Sequence, residues 1–270
     1  MSIYSKFEKL EWIGWQERAA RYDRTTLKMT GSTIPRLIEL IKPRATDHIL
    51  DVCCGTGAVA KHLFPSGANV SGIDFAPDMI EQAKLSVPSA RFVTGNAQNL
   101  PFEDATFDAV LTNFGHYHLP DPDKAIMEAA RVLKPGGRYG FTTWVGPDAS
   151  EGFRLIFETI LGNVDQAVTI PAAPDAFRLA DEAVAKQVLE SAGFGDVTIE
   201  TFPSEITCAP DDFVAFLKAA TVRATFVMKA QPEDVQRRIE ALLREGVETF
   251  RQGEIVVVPM PNRIVTATLQ

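Results

Sequence analysis

Cysteine is scarce in this chain. Only three of the 270 residues are cysteines, and a small, odd number of them cannot build a disulfide framework. Long apolar runs are also missing, so no segment could span a bilayer, and residues 1–24 lack the apolar stretch of a signal peptide. These absences predict a reduced, cytoplasmic protein without membrane insertion.

An excess of positive charge is missing as well. The chain has 27 Lys and Arg residues against 35 Asp and Glu residues, which gives a formal net charge of −8. Nothing here supplies the basic surface that a nucleic-acid backbone requires. Hydrophobic residues make up 46% and charged residues 23%, which is typical of a protein with a packed core. We therefore expect a small-molecule substrate and no nucleic acid.

Strand-like and helical patterns alternate through the first half of the chain. Such alternation indicates right-handed β-α-β units and a parallel sheet. The second half adds a helix capped by Asp181, a sixth strand at 196–206, two apolar helical stripes at 210–230 and 232–252, and a last strand at 263–269. The predicted strands of the first half span 48–54, 68–75, 90–97, 107–114 and 138–145.

These patterns predict one domain over residues 1–270, divided into segments. The predicted segments are an N-terminal helical region (1–44), a cofactor-binding core (45–146), an irregular substrate-side segment (147–180), a helix and strand of the core (181–206), a helical cap (207–252) and the last strand (253–270). The oligomeric state stays open, with a homodimer as one option.

A glycine-rich turn follows the first predicted strand, in the sequence "DVCCGTG" from Asp51 to Gly57. Such a turn can present backbone N–H groups to an anionic ligand at a helix N-terminus, or it can be a plain β-α turn that needs glycine for its backbone angles. The pattern Gly55-x-Gly57-x-x-Ala60, with Asp74 further along, also fits a dinucleotide-binding NAD(P)-dependent oxidoreductase. Asp51 disfavours that alternative, because a carboxylate repels a pyrophosphate and suits a positively charged ligand.

Four motifs occur in order: "ILDVCCGTG", "GIDFAPDMIEQA", "GNAQNLPFEDATFDAVLTNF" and "DPDKAIMEAARVLKPGGRYGFTTW". Together they resemble the class I S-adenosylmethionine-dependent methyltransferases, in the branch with the ubiquinone and menaquinone C-methyltransferases and many small-molecule methyltransferases. The resemblance covers residues 45–146 strongly and residues 19–24 weakly. It implies a Rossmann-like α/β fold, with a seven-stranded mixed sheet, an antiparallel last strand and a helical cap insertion.

The resemblance also implies how S-adenosylmethionine would be bound. The loop of Cys53, Gly55, Thr56 and Gly57 would wrap the methionine part, with Asp51 oriented toward its amino group. Asp74 would accept hydrogen bonds from both ribose hydroxyls, as a carboxylate can. The remaining cofactor residues would be Phe75 and Met79 on the two faces of the adenine, Ala97 beside it, Asn96 accepting from its amino group, Asn113 and Phe114 on the methionine side, and Tyr22 closing over the cofactor.

Three residues in the loop after the fourth strand are candidates for catalysis, and two of them, His116 and Tyr117, are also expected to contact the substrate. Methyl transfer from a sulfonium is an in-line displacement that needs alignment, and a base is required only if the acceptor must lose a proton. Ligands gather at the carboxyl ends of parallel strands, where His116, Tyr117 and His118 stand. Packing or hydrogen-bonding roles are the alternative for these side chains.

The substrate side is expected to be apolar. Trp144 would form a wall, and Phe213 and Phe216 in the cap indicate a small, apolar or aromatic acceptor. The alternative for all three is ordinary core packing. No metal site is expected, because Cys53 and Cys54 have no ligand cluster around them, and both fit as small packing residues. A methyltransferase fold that binds the cofactor without methylating stays open.

Overall fold

The computed structural model describes residues 3–270. The strands are β1 His48–Val52, β2 Asn69–Asp74, β3 Arg91–Thr94, β4 Phe107–Asn113, β5 Leu133–Trp144, β6 Phe194–Phe202, β7 Glu205–Cys208, β8 Arg251–Gln252, β9 Ile255–Pro259 and β10 Asn262–Leu269. The α-helices are α1 Ser5–Arg18, α2 Thr26–Thr30, α3 Ile34–Ile41, α4 Ala58–Leu63, α5 Pro77–Ser86, α6 Pro122–Val132, α7 Glu151–Leu161, α8 Glu182–Ser191, α9 Phe213–Ala220, α10 Arg223–Lys229 and α11 Glu233–Val247.

The main sheet has seven strands in the order β3-β2-β1-β4-β5-β10-β6. Strands β1 to β5 are parallel, and β10 runs antiparallel to both β5 and β6. The predicted seven-stranded Rossmann-like sheet with an antiparallel last strand is therefore confirmed. Chain order reverses between β1 and β4, and this is the place where such sheets open a crevice for ligands.

Helices cover both faces of the sheet, so its central strands β1, β4 and β5 are buried along most of their length. On one face, Leu50 and Phe141 belong to a core shared with α6 and α8. On the other face, Ile49 packs with α3 and α4. Asp181 caps α8 as the sequence predicts, by accepting the N–H groups of Ala183 and Val184. Asp121 caps α6 in the same way and accepts the N–H of Lys124 at 3.0 Å.

A cap made of α7, α9, α10, α11 and a second sheet stands beside the main sheet. This sheet has three strands in the order β7-β9-β8, and the cap has its own apolar core around Phe213 and Ile239. The sequence predicts an irregular segment at 147–180, but its first part is the helix α7. Ser150 caps α7 by accepting the N–H of Phe153, and an apolar stripe through Ile156 and Ile160 faces the cap core.

The predicted boundaries near the C-terminus also need correction. The range 253–270 contains the last strand of the main sheet only from Asn262, because β9 pairs with β7 in the cap instead. The helical cap predicted at 207–252 likewise includes the end of β7 and all of β8. Pro259 and Pro261 flank the break between the two strands, where a residue without an N–H cannot extend a ladder. Within residues 3–270, none of the helices has the length and apolar character needed to cross a membrane.

Candidate active site

A cavity of about 500 Å³ opens at the carboxyl ends of β1, β2 and β4, at the point where strand order reverses. We call it the first cavity. Helix α1 and the 3₁₀ segment Ala19–Arg24 form its outer wall. Most of the cofactor residues expected from the sequence line it, and these are Tyr22, Cys53, Gly55, Asp74, Phe75, Met79, Asn96, Ala97, Asn113 and Phe114.

The glycine-rich turn is held by left-handed backbone at three positions. Cys53, Gly55 and Gly57 have φ angles of 56°, 51° and 83°. A Cβ on Gly55 would lie 3.5 Å from the Tyr22 ring, so the turn and the N-terminal segment are in close contact. Cys53 occupies a conformation that favours glycine, and a non-glycine residue there costs about 1–3 kcal/mol.

Asp74 joins the end of β2 to this turn. Its Oδ2 accepts the N–H of Gly55 at 2.9 Å, and its Oδ1 accepts the N–H of Ala76 at 3.0 Å. The second bond pairs the N–H of Ala76, the N-cap residue of α5, whose own side chain provides no cap. Each carboxylate oxygen has a further lone pair for a ligand hydroxyl. Burial raises the pKa of Asp74.

Asp51, Thr56 and Gly57 lie behind the wall of the first cavity rather than on it. Asp51 is 1% exposed, and among residues 3–270 neither of its carboxylate oxygens has a hydrogen bond of ordinary geometry; the backbone N–H of Ala60 contributes only a weak interaction. Burial, together with the negative charge of Asp74, raises the pKa of Asp51 well above its ordinary range. A buried anion that is only weakly paired favours a positive charge nearby, and S-adenosylmethionine carries such charges on its amino and sulfonium groups.

The side-chain amide of Asn96 makes other hydrogen bonds than the sequence predicts. Its side-chain oxygen already accepts the backbone N–H of Gln98 at 2.8 Å and the Gln98 side-chain amide at 3.3 Å. A backbone N–H can only be matched by the oxygen of the amide, so the orientation is fixed. The group that Asn96 leaves for a ligand is therefore its NH₂ donor, rather than the acceptor expected from the sequence.

His116 does not line the first cavity or the second one described below. It is 2% exposed, its Nε2 is 2.8 Å from the Tyr139 hydroxyl, and its ring packs edge-on against Phe141. Burial lowers the pKa of His116 to about 3. The structure therefore gives His116 a place in the core, and we leave it out of the proposed site.

A second cavity, of about 380 Å³, lies between the main sheet and the cap. Its wall is largely apolar, and Trp144 is part of it. The Trp144 indole donates to the Tyr117 hydroxyl at 3.1 Å, and its ring lies over Phe114. The residues that line both cavities are Trp15, Thr26, Thr30, Tyr117 and His118.

The cap residues that line the second cavity are not the two that the sequence predicts, Phe213 and Phe216. Phe213 is fully buried in the cap core, and Phe216 packs on the same core without reaching the cavity. The cavity meets α9 one turn later, at Leu217 and Ala220. Three further aromatic residues of the lining come from the segment predicted to be irregular, where Phe153, Phe157 and Phe177 are in mutual ring contact.

The three cysteines are free thiols. Cys54 is buried, Cys53 is half-buried on the first cavity, and Cys208 ends β7 in the cap. Burial raises the pKa of the Cys53 and Cys54 thiols well above the ordinary range, which keeps both protonated and poorly nucleophilic. This agrees with the packing role expected for them.

Comparison with known proteins identifies the family. Residues 50–141 match the family model described as a methyltransferase domain. The demethylmenaquinone methyltransferase of Lactobacillus johnsonii is 34% identical over 184 residues, which are 61% of this chain and 74% of that protein. The alternatives that the sequence leaves open gain no support from these matches.

Solved structures agree on the fold. The YcgJ protein of Bacillus subtilis superimposes with a TM-score of 0.62 at 19% identity, covering 89% of this chain and 99% of that one. Phosphoethanolamine N-methyltransferase 2 of Haemonchus contortus, solved with S-adenosyl-L-methionine, gives a TM-score of 0.55 at 18% identity, covering 88% and 52%. The chain belongs to the class I S-adenosylmethionine-dependent methyltransferases, in the quinone methyltransferase-like branch.

Proposed function

We propose that the protein transfers a methyl group from S-adenosylmethionine in the first cavity to an apolar, hydroxyaromatic small molecule in the second. The observation that carries this proposal is the set of five residues shared by the two cavities. They form a junction where a donor and an acceptor bound on either side would meet. Holding both reactants in line is the main requirement of this reaction.

The first cavity suits the cofactor in size and in chemistry. A volume of about 500 Å³ lies within the usual range for small-molecule sites. Asp74 would hold the ribose, Phe75, Met79 and Ala97 the adenine, with the Asn96 amide donating to a ring nitrogen. The methionine part would lie against Tyr22, Cys53, Gly55, Asn113 and Phe114, with Asp51, Thr56 and Gly57 supporting from behind.

The cofactor, when bound, supplies a methyl group already activated on a sulfonium. The residues of this chain orient it and exclude water. Tyr117 stands at the junction with its hydroxyl held by the Trp144 indole, so it offers a fixed polar contact in a largely apolar wall. The rings of Phe153 and Phe177 provide the apolar surface that an aromatic acceptor would bury.

The acceptor class is inferred from the lining of the second cavity and from the relatives. The Lactobacillus johnsonii protein is named for demethylmenaquinone, and a reduced quinone with an isoprenoid tail would place its ring at the junction and its tail along the apolar wall. Burying apolar surface contributes about 25 cal/mol per Å². A tail should therefore increase binding strongly.

The test compares acceptors that differ only in the tail. S-adenosylhomocysteine formation is measured with 1,4-naphthalenediol, with the same ring carrying one isoprenyl unit, and with ethanolamine as a polar control. We expect kcat/KM to rise at least about tenfold on adding the tail, with no turnover of ethanolamine. Equal rates with and without the tail, or a preference for ethanolamine, would contradict the proposed acceptor class.

The ribose assignment is tested through Asp74. Asp74→Ala should weaken S-adenosylhomocysteine binding by about 1–3 kcal/mol, because charge-assisted hydrogen bonds are lost. Asp74→Asn retains one acceptor oxygen and should lose less. Asp78→Ala, an exposed position in the first turn of α5, is the matched control. Calorimetric dissociation constants that are equal for all three variants and the wild type would show that Asp74 does not hold the ribose.

A further inference from the structure

We propose that Glu11 and His118 form a proton-accepting pair at the junction of the two cavities. His118 would take a proton from the acceptor, and Glu11 would act as a positioning residue that holds its ring. This proposal rests on the proposed function, since it requires an acceptor in the second cavity. It adds that the acceptor carries an ionisable O–H at the atom that approaches the junction.

The geometry of the pair is well defined. Oε2 of Glu11 lies 2.7 Å from Nδ1 of His118 and accepts the Trp15 indole N–H at 3.1 Å. Because Oε2 already accepts the Trp15 N–H, we assign the Nδ1–H of His118 as its second donor; Glu11 is only 2% exposed. His118 must then carry its proton on Nδ1 when neutral, which leaves the lone pair on Nε2.

The free nitrogen of this ring is available to a ligand. Nε2 of His118 has no hydrogen-bond partner in the part of the chain that the structure describes. His118 lines both cavities, and Glu11 lines the second. The ring is held from the sides by an edge-on contact with Trp15 and a tilted contact with Tyr117.

Charged and titratable groups surround the pair on every side. Arg18 on α1 and Arg223 at the start of α10 act electrostatically on Glu11. Arg18 also ties α1 to the cap by donating to the backbone oxygens of Lys218 and Thr221. Asp74 lies close enough to His118 to interact with it, and Tyr117 adjoins the ring. The two arginines place positive charge near the Glu11 carboxyl group, and Asp74 places negative charge near the His118 ring.

The chemical step balances for a hydroxyl acceptor. The acceptor O–H bond breaks and its proton passes to Nε2, while an oxygen lone pair forms the new bond to the methyl carbon. The sulfur–carbon bond of the donor breaks with its electron pair on sulfur. One positive charge is lost from the sulfonium and one is gained by the imidazolium. On a hydroxyaromatic ring the same deprotonation also makes the ring carbon beside the oxygen nucleophilic.

A purely structural role for Glu11, as an anchor of α1, makes different predictions. An anchor would affect the unfolding temperature and cofactor binding alike at every pH. A positioning role would change kcat and its pH dependence, because the loss of the nearby anion disfavours the imidazolium. The two roles are separated by kinetics and by the state of the His118 ring.

The kinetic test uses Glu11→Gln, His118→Ala and the control Glu17→Gln, which changes an exposed residue of the same helix. The acceptor is 1,4-naphthalenediol with one isoprenyl unit. We expect His118→Ala to lower kcat by about 10²- to 10⁴-fold, and Glu11→Gln by about tenfold or more with the rising limb of its pH profile at lower pH. Glu17→Gln should match the wild type. An unchanged kcat and pH profile in Glu11→Gln would overturn the pair.

A second readout does not depend on turnover. Ring ¹⁵N NMR of the protein saturated with S-adenosylhomocysteine, assigned with His118→Ala, should show the Nδ1–H tautomer of His118, and added 1-naphthol should shift its Nε2 resonance. Glu11→Gln should lose the tautomer preference. An Nε2–H tautomer, or no response to 1-naphthol, would overturn the proposal. A wild type with these signals but no turnover of any acceptor would contradict the proposed function while supporting the pair.

Discussion

Asp51 is the residue that departs most from ordinary protein chemistry. A carboxylate with 1% exposure, with no hydrogen bond of ordinary geometry among the described residues and only a weak interaction with the Ala60 N–H, destabilises the fold when it is ionised. Such a group is retained where a ligand compensates it. The first cavity adjoins Asp51 through the turn at Cys53 and Gly55, and the positive charges of S-adenosylmethionine would offer the compensation.

Replacing Asp51 should raise the stability of the ligand-free protein and lower its affinity for S-adenosylmethionine. The pKa of Asp51 is higher in the folded state than its ordinary value of 3.8. The contribution of this group to stability is therefore fully present below pH 3.8 and is lost as pH rises through the folded pKa. Asp51→Asn removes the titration, so it should become more stable than the wild type by about 1–3 kcal/mol near neutral pH, with a gap that widens as pH rises from 4.

Urea unfolding of the ligand-free proteins at several pH values measures this gap, and calorimetry with S-adenosylmethionine measures the expected loss of affinity. A wild type that is more stable than Asp51→Asn at pH 8 would contradict the assignment of Asp51 as an uncompensated charge.

His116 should make the fold sensitive to acid. Its pKa of about 3 in the folded state lies below the ordinary value of 6.5. Between these two pH values the unfolded chain binds a proton on this imidazole, and the folded chain keeps it neutral. Stability from this residue is present above pH 6.5 and falls as pH drops toward 3, by up to about 1.4 kcal/mol per pH unit. His116→Asn should show a shallower loss between pH 6.5 and 4.5 in urea titrations. Parallel curves for the two proteins would argue against a buried, neutral His116.

At the scale of elements, two turns pack directly on each other beside the first cavity. Gly115 precedes the 3₁₀ helix His116–His118, and a Cβ added there would lie 2.7 Å from Cβ and 2.8 Å from Sγ of Cys53. Cys53 is itself in a left-handed conformation. The turn after β1 and the turn after β4 therefore constrain each other.

This contact predicts a coupled pair of substitutions. Gly115→Ala should lower the free energy of unfolding by about 1–3 kcal/mol through overpacking. Cys53→Gly removes the obstructing atoms and the left-handed strain, so in the double variant the loss should be smaller than the sum of the single changes. Thr112 stands 2.8 Å from the added Cβ as well, so the rescue is partial. Strict additivity in a double-mutant cycle would contradict the contact.

Sequence patterns predict the elements of the main sheet well, because each carries a local signal. Asp121 and Asp181 indicate helix starts because aspartate is a preferred N-cap residue, and the alternating apolar runs indicate β-α-β units. The sequence does not predict helix α7, because glycine and proline before and after it indicate a loop. This helix is stabilised when its apolar stripe is buried against the cap core, and that contact is not visible in the local sequence.

The residues of the site also divide into those with a local sequence signal and those placed only by tertiary packing. Asp74 and the glycine-rich turn are recognisable in sequence because their roles depend on short-range geometry. Glu11 and Trp15 carry no such signal, since they meet His118 through the packing of α1 across more than 100 positions. Phe213 and Phe216 show the converse: helical spacing marks them as apolar, but only the tertiary fold decides whether they face a core or a cavity.

Considered as a whole, the molecule places two binding cavities of different character side by side. The first is built by the strand ends of the main sheet, and the second lies between that sheet and the cap. Helix α1 contributes residues to both and is fastened to the cap by Arg18. The proposed reaction takes place at the junction, so neither the sheet nor the cap is sufficient alone.

The most direct measurement is a crystal structure of the protein with S-adenosylhomocysteine and 1-naphthol bound together. The proposed function predicts the ribose on Asp74 in the first cavity and the naphthol ring in the second. It also predicts that the naphthol oxygen lies within hydrogen-bonding distance of Nε2 of His118. A nucleoside bound away from Asp74, or naphthol excluded from the second cavity, would contradict it.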